Sequence, residues 1–282
     1  MRDLASGTVR VGSPAAGPHR VTAQAQGRNG PPRGARKLLG LVLLLGVWAL
    51  GSAQGWIPEA AIPGPWVIVA SFADLVADRT LPEAMLISLQ RVAIGLAIGL
   101  VIGVGLAVAT GLSRFAEDLF DAPMQMLRTI PWPGLIPLLI IWFGIDEAPK
   151  VALVAFAVTF PLYLNVYAGI RTVDMTLVEA ARTLGLGRAA LIRHVMLPGA
   201  LPSALVGLRW ALGSAWLALV FSETVNAQAG IGYLITLARE SYRTDVIIVG
   251  LVVYAFLGLA ADVIVRGLER WLLSWQQAFS GT

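Results

Sequence analysis

The chain has no cysteine, only two histidines, and charged residues make up only 13% of its 282 positions. Without cysteine there can be no disulfide framework, no thiolate nucleophile and no Cys-ligated zinc or iron–sulfur centre. Two histidines leave little for any other metal site. Soluble domains usually carry about 25% charged residues, so the low charge argues against an ordinary water-exposed surface. Other recognisable chemistry is missing too. No Walker A glycine loop with its Lys and Ser/Thr occurs, nor HExxH or GxSxG, and the Gly-rich stretches GSPAAG and GLG read as turns. What is abundant is apolar: 57% of residues, gathered into runs. Disorder is therefore expected only locally.

Residues 1–37 are rich in Gly, Pro, Ala and Ser without periodicity and read as a disordered basic tail. Arg2, Arg10, Arg20, Arg28, Arg33, Arg36 and Lys37 face Asp3 alone. Six apolar spans are expected after it. The first, Leu38 to Trp56, is read as a retained anchor and not a cleaved signal peptide. The second, Arg91 to Leu112, has no charge after its first residue and can cross about 30 Å of hydrocarbon. Gly95, Gly99 and Gly103 recur in it at four-residue spacing, the pattern that lets another helix approach closely.

The third, from about Leu119 to Phe143, contains Pro123, Pro131, Pro133 and Pro137 and is expected to be broken. Broken backbone at membrane depth needs protein or a water-filled cavity around it, which makes this stretch a candidate for the bundle interior. The fourth runs from Val151 to Ile170, the fifth from about Ala204 to Val225, and the sixth from Val246 to about Val265. Asn226 to Asp245 reads as a wet segment between the last two. With the N-terminus inside, basic residues outnumber acidic ones in the inner segments and acidic outnumber basic in the outer ones. Both termini are thus expected in the cytoplasm, and the fold is all-α and polytopic.

Charges inside spans are costly, so each is a candidate for function. For Arg91 and Arg128, near span ends, snorkelling is set against a place on a solute path. For Arg209 and Glu223, pairing within the bundle stands beside contact with a passing solute. Asp262 and Arg266 are spaced for an i,i+4 ion pair. A basic excess explained by tail and topology gives no reason to expect nucleic-acid binding. From the residues alone, a transport subunit and a membrane-embedded scaffold or receptor both fit.

The inner loop 171–204 is too charged to span and too apolar to be an idle linker. It reads as short amphipathic helices, with Gly185 and Gly187 at a turn and Pro198 and Pro202 ending the unit. Its sequence EAARTLGLGRAALIRHVMLP, Glu179 to Pro198, resembles the EAA signature of permease subunits of bacterial ABC importers. Glu179, Ala180, Ala181, Gly185, Val195, Leu197 and Pro198 match that pattern. Leu127–Lys150, Phe160–Arg171 and Pro198–Ile235 look like the nitrate/sulfonate/taurine branch. Ala238–Arg270 is most similar to the aliphatic sulfonate permeases within it, although taurine and nitrate permeases share much of the pattern.

The resemblance covers roughly residues 38–277, leaving out the basic tail, and implies the MetI-like permease fold with six transmembrane helices. It implies a non-enzymatic chain of the bacterial inner membrane that pairs with a second copy of itself. Two ATP-binding cassette subunits would hydrolyse ATP with magnesium on its behalf, and a periplasmic solute-binding protein would deliver the solute. The chain itself would bind no cofactor and no metal, and lipid would surround it. Glu179, Ala180, Ala181, Arg182, Gly185, Leu197 and Pro198 would make the contact with the ATPase.

Overall fold

A computed structural model describes residues 33–273, which are helical with no strand. Residues 1–32 of the basic tail and the C-terminal Trp275 lie outside them. Helix α1, Arg33–Ala53, starts within the stretch read as tail. It runs from a first unit, Met1–Leu45, into a second, Gly46–Thr282, which holds every other element. Helix α2, Pro65–Ala77, follows with Pro at its first turn, where no backbone donor is needed.

Helix α3, Thr80–Leu112, has 33 residues and so is about 50 Å long. It begins eleven residues before the expected span. Arg79 turns the chain with φ 66°, and Asp78 accepts a hydrogen bond from the Thr80 amide at 2.9 Å. The proline-rich stretch is broken as expected, into α4 (Arg114–Leu127), a 3-10 turn (Trp132–Leu135) and α5 (Ile136–Phe143), with a 92° bend. Residues 128–131 at the bend are exposed on this single chain and are not enclosed by its own bundle, contrary to expectation. Met124, Ile136 and Leu139 on either side are buried, so the exposure is confined to the bend itself.

Helix α6, Glu147–Arg171, is the most enclosed element. Its partner α3 comes so close that a methyl added at Gly95 would sit 2.6 Å from Val154 Cβ. At Gly99 and Gly103 the added atom would stand 2.7 and 2.6 Å from the carbonyl oxygens of Ala155 and Thr159. Pro161 does not break α6; the Asn165 side chain donates to the Pro161 carbonyl at 2.8 Å.

Helix α7, Met175–Thr183, and α8, Arg188–Leu191, occupy the inner loop. A π turn, Ile192–Met196, then feeds directly into α9, Leu197–Asn226. This corrects the expectation that Pro198 and Pro202 end the loop unit. Pro198 falls in the first turn of α9, and the wider π turn before it absorbs the missing donor. Loop and span are therefore one helical rod, Arg188–Val225.

The segment read as wet contains α10, Ile231–Glu240, with Ile231, Leu234 and Ala238 buried along one face. Helix α11, Thr244–Leu272, completes the chain. Among the described residues four helices are long and apolar enough to cross a membrane, up to five when the bent α4–α5 pair is taken as one span. The expected sixth corresponds to α1, whose apolar stretch Val42–Ala53 is shorter.

Candidate functional site

Two places stand out, at opposite ends of α9. The first is a buried ion cluster near Glu223, about 38 Å along the helix from Pro198. Glu223 is brought there by the last turn of α9, and Arg91 by the first half of α3. Arg91 Nη1 donates to Glu223 Oε1 at 2.7 Å, with side chains only 3% and 0% exposed. Its Nε and Nη2 grip both oxygens of Glu147 at 2.6 Å, the planar two-point geometry that guanidinium offers carboxylate. Nη1 also donates to the Ala229 carbonyl at 2.7 Å.

Glu223 is saturated as well. Ser88 donates to it at 2.7 Å, the Gly232 amide at 2.8 Å and the Tyr254 hydroxyl at 2.8 Å. Ser88 in turn accepts from the Ile231 amide at 3.0 Å. The carboxylate therefore sits against the N-terminus of α10, where free amides and the helix dipole favour negative charge. Lys150, also buried, lies 3.4 Å from Glu147, so two cations face two anions. Glu147 differs from Glu223 in being 54% exposed at its side chain.

The backbone makes room for this. Gly230 has φ 104°, and an added methyl there would lie 2.6 Å from both Arg91 Nη1 and Glu223 Oε1. At Gly232 it would lie 2.4 Å from Glu223 Cβ. Sequence reasoning singled out Arg91 and Glu223 but missed Ser88, Glu147, Tyr254, Gly230 and Gly232. The paired glycines of AGIG just after a buried Glu were the available signal.

The snorkelling reading of Arg91 is thereby corrected, since its head group is sealed inside and does not reach toward water. All three of its nitrogens are engaged, which leaves none for a solute in this conformation. Arg209 stands apart, bound to Glu269 at 2.5 Å and near Asp262 at 3.5 Å on α11. Asp262 and Arg266 form the expected ion pair. Arg128 caps the C-terminus of α4, exposed, and makes no side-chain hydrogen bond or ion pair among the described residues.

The second place is α7 and the turn after it. Asp174 caps α7, accepting from the Thr176 hydroxyl at 2.7 Å and the Thr176 amide at 2.8 Å. Those two donors hold the Asp174 carboxyl below the usual carboxylate range. At the other end the Leu186 amide bonds the Ala181 carbonyl at 3.1 Å and the Gly185 amide bonds Arg182 at 2.9 Å. This paired closure needs a left-handed residue, which Gly185 supplies with φ 85°.

Val178 and Ala181 turn inward onto Leu191, with Val173, Leu186 and Val195 around them. Glu179, Ala180 and Arg182 are exposed, and Leu184 is 80% exposed. Leu197 and Pro198 are exposed on the first turn of α9. The structure thus separates Ala181, a support residue, from its neighbours Glu179 and Ala180. No cluster of side chains that could hold a metal ion occurs among the described residues.

Comparison with known proteins agrees on the kind of molecule. Residues 99–274 match the family described as the binding-protein-dependent transport system inner membrane component. The chain is 47% identical over 236 residues to the putative aliphatic sulfonates transport permease protein SsuC of Escherichia coli (strain K12), covering 84% of this chain and 90% of that protein. It is 37% identical over 239 residues to the SsuC protein of Bacillus subtilis (strain 168), covering 85% and 87%. The taurine transport system permease protein TauC of Escherichia coli (strain K12) is 32% identical over 240 residues, covering 83% and 87%. Among solved structures, an amino acid ABC transporter gives a TM-score of 0.57 at 20% identity, covering 72% of this chain and 96% of that one. The inward-facing MetNI methionine ABC transporter gives 0.55 at 19%, covering 68% and 97%. With this fold, these apolar spans and that extent of identity, the chain belongs to the binding-protein-dependent family of ABC transporter inner membrane permeases.

Proposed function

We propose that the chain is the membrane pathway of an ATP-driven importer of aliphatic sulfonates. The observation that carries this reading is the 47% identity, over 84% of the chain, to a protein named as an aliphatic sulfonate permease. In this reading two copies pair in the bacterial inner membrane, with N- and C-termini in the cytoplasm. Two ATP-binding cassette subunits dock below and hold ATP and magnesium; a soluble binding protein delivers the anion from the periplasm.

The exposed face of α7 is the docking surface. Glu179, Ala180 and Arg182 meet the ATPase, Ala181 and Gly185 set the shape behind them, and Leu197 and Pro198 begin the rod that leads away. Because Val178 and Ala181 of α7 pack on Leu191 of the rod Arg188–Val225, displacement of α7 is passed to that rod and along it to Glu223. The buried cluster there ties α9 to α3, α6, α10 and α11. Differential contact of the ATPases with two arrangements of this body would switch the pathway, which is the physical content of coupling. Arg128, the exposed cation at the bend, is the residue of the path that remains open to an anion. Gly95, Gly99 and Gly103 keep α3 and α6 together while the body moves.

Taurine is the second reading, carried by the 32% identity to a taurine permease. The test is growth with an alkanesulfonate or with taurine as the sole sulfur source, with and without the gene. Growth on alkanesulfonates that depends on the gene is expected. Dependence for taurine alone would shift the substrate, and dependence for neither would refute the reading.

A further inference from the structure

Only one residue of α4 is buried, Met124, in the apolar cluster that also holds Tyr163 and Val166 of α6. Beside it the two helices are joined by polar groups. Tyr167 donates its hydroxyl to Glu117 Oε1 at 2.5 Å, and Arg171 Nη2 donates to both Glu117 oxygens at 2.7 Å. One turn further along α4, Asp121 accepts from the Tyr163 hydroxyl at 3.3 Å. The two tyrosine rings stack with centroids 5.9 Å apart, and the Arg171 guanidinium lies 5.8 Å from the centre of the Tyr167 ring. No other side-chain hydrogen bond or ion pair joins α4 to another helix among the described residues.

The spacing makes this a ladder. Glu117 and Asp121 stand four apart on α4, and Tyr163, Tyr167 and Arg171 stand four apart on α6, so each set follows one helix face. The pairing order is reversed between the helices, which therefore run antiparallel. Apolar surfaces permit sliding, whereas directional bonds at fixed spacing admit one register. As a source of stability the ladder is modest. The side chains of Arg171 and Glu117 are 45% and 23% exposed, and ion pairs open to water contribute little. Its place in the chain says more. Arg171 ends α6 just before Asp174, the cap of α7. Glu117 lies in the first turn of α4, which leads to the 92° bend and α5.

We propose that this ladder is a second coupling link, with Glu117 and Tyr167 as positioning residues for transport. Movement of α7 at the ATPase reaches the bent α4–α5 segment through Arg171 and Tyr167, beside the route along α9. The proposal rests on the reading of α7 as the docking helix and extends it to a segment outside the α9 rod.

The test uses the chain assembled with its ATPase subunits in proteoliposomes, supplied with the binding protein and labelled ethanesulfonate or taurine. Uptake, ATP hydrolysis and ATPase binding are measured on the same sample. Glu117→Gln keeps the shape and removes the charge, and Tyr167→Phe removes one hydroxyl. Both variants should bind the ATPase and hydrolyse ATP as wild type does. Uptake per ATP should fall by about fivefold or more, the low end of ordinary coupling between sites. The double variant should fall no further than the worse single one, because both changes cut the same link. Unchanged uptake per ATP in both single variants overturns the proposal, as does a double-variant loss equal to the product of the single losses. Uptake that falls only in step with ATPase binding overturns it too, since the ladder would then merely support α7. Wild-type uptake that survives both changes removes this inference alone. Absence of wild-type uptake of either solute removes the functional reading and this inference with it.

Discussion

Arg91 on α3 and Glu223 at the end of α9 meet at 2.7 Å in the protein interior, although 132 residues separate them. Both side chains are almost wholly removed from water, so each offsets part of the desolvation cost of the other. Removing Arg91 leaves the buried Glu223 carboxylate without its counter-charge, a loss of about 3–5 kcal/mol. Removing Glu223 leaves Arg91 paired with Glu147 but takes the acceptor from the Gly232 amide and the Tyr254 hydroxyl. Arg91→Ala and Glu223→Ala are both expected to lower the thermal midpoint of the detergent-solubilised protein sharply. Glu147→Gln should cost less, because Glu147 is half exposed and water can replace part of what it gives. Equal losses for Glu147 and Glu223 would contradict this division.

The glycines that admit the cluster make a second prediction. Gly232→Ala places a methyl 2.4 Å from Glu223 Cβ and cannot be accommodated without moving α10 away from α9. Gly230→Ala adds a strained backbone at φ 104° to a clash with two charged groups. Both variants should reach the membrane poorly, as measured by fluorescence-detected size exclusion.

Within α3 the same substitution should have opposite effects at two positions six residues apart. Gly99→Ala drives a methyl to 2.7 Å from the Ala155 carbonyl, while a methyl at Gly105 meets nothing within 4 Å. Gly99→Ala should lower the thermal midpoint by separating α3 from α6. Gly105→Ala should leave it unchanged or raise it slightly, since Ala favours helix over Gly by about 1 kcal/mol.

The four-residue spacing that marks Gly95, Gly99 and Gly103 was readable in the sequence because helix periodicity is local. The proline break between α4 and α5 was readable for the same reason, since each ring removes a donor wherever it falls. The course of Pro198 was not, because a π turn can absorb a proline and nothing local distinguishes that from a stop. Arg91 was misjudged because burial is decided by partners far away in sequence. Its carboxylates come from α6 and α9, and Glu147 lies between the third and fourth expected spans. Helix α10 was hidden by its short length and its polar flanks. At α7 the EAA resemblance drew attention to Glu179 through Gly185. Only the structure separates Ala181, which faces Leu191, from Ala180, which faces outward.

For the docking face, Glu179→Lys and Leu184→Asp are expected to reduce uptake at least tenfold while leaving membrane levels near normal. Neither side chain is part of the packed core, so a structural collapse is not expected. Ala181→Leu should instead lower the yield of folded protein, because Ala181 packs against Leu191. Uptake assayed alongside quantitative membrane immunoblots separates the two outcomes.

The most direct measurement is accumulation of sulfur-35-labelled ethanesulfonate in cells carrying the wild-type chain, the Gly185→Arg variant, or neither. Gly185 closes α7 with a left-handed backbone that arginine resists, and the turn stands at the proposed contact with the ATPase. Wild type is predicted to accumulate label well above the level of cells without the gene. Gly185→Arg, at matched membrane abundance, is predicted to fall to that background. Equal accumulation with and without the gene would contradict the proposal that this chain carries sulfonates. Accumulation by Gly185→Arg equal to wild type would contradict the assignment of α7 as the point of coupling.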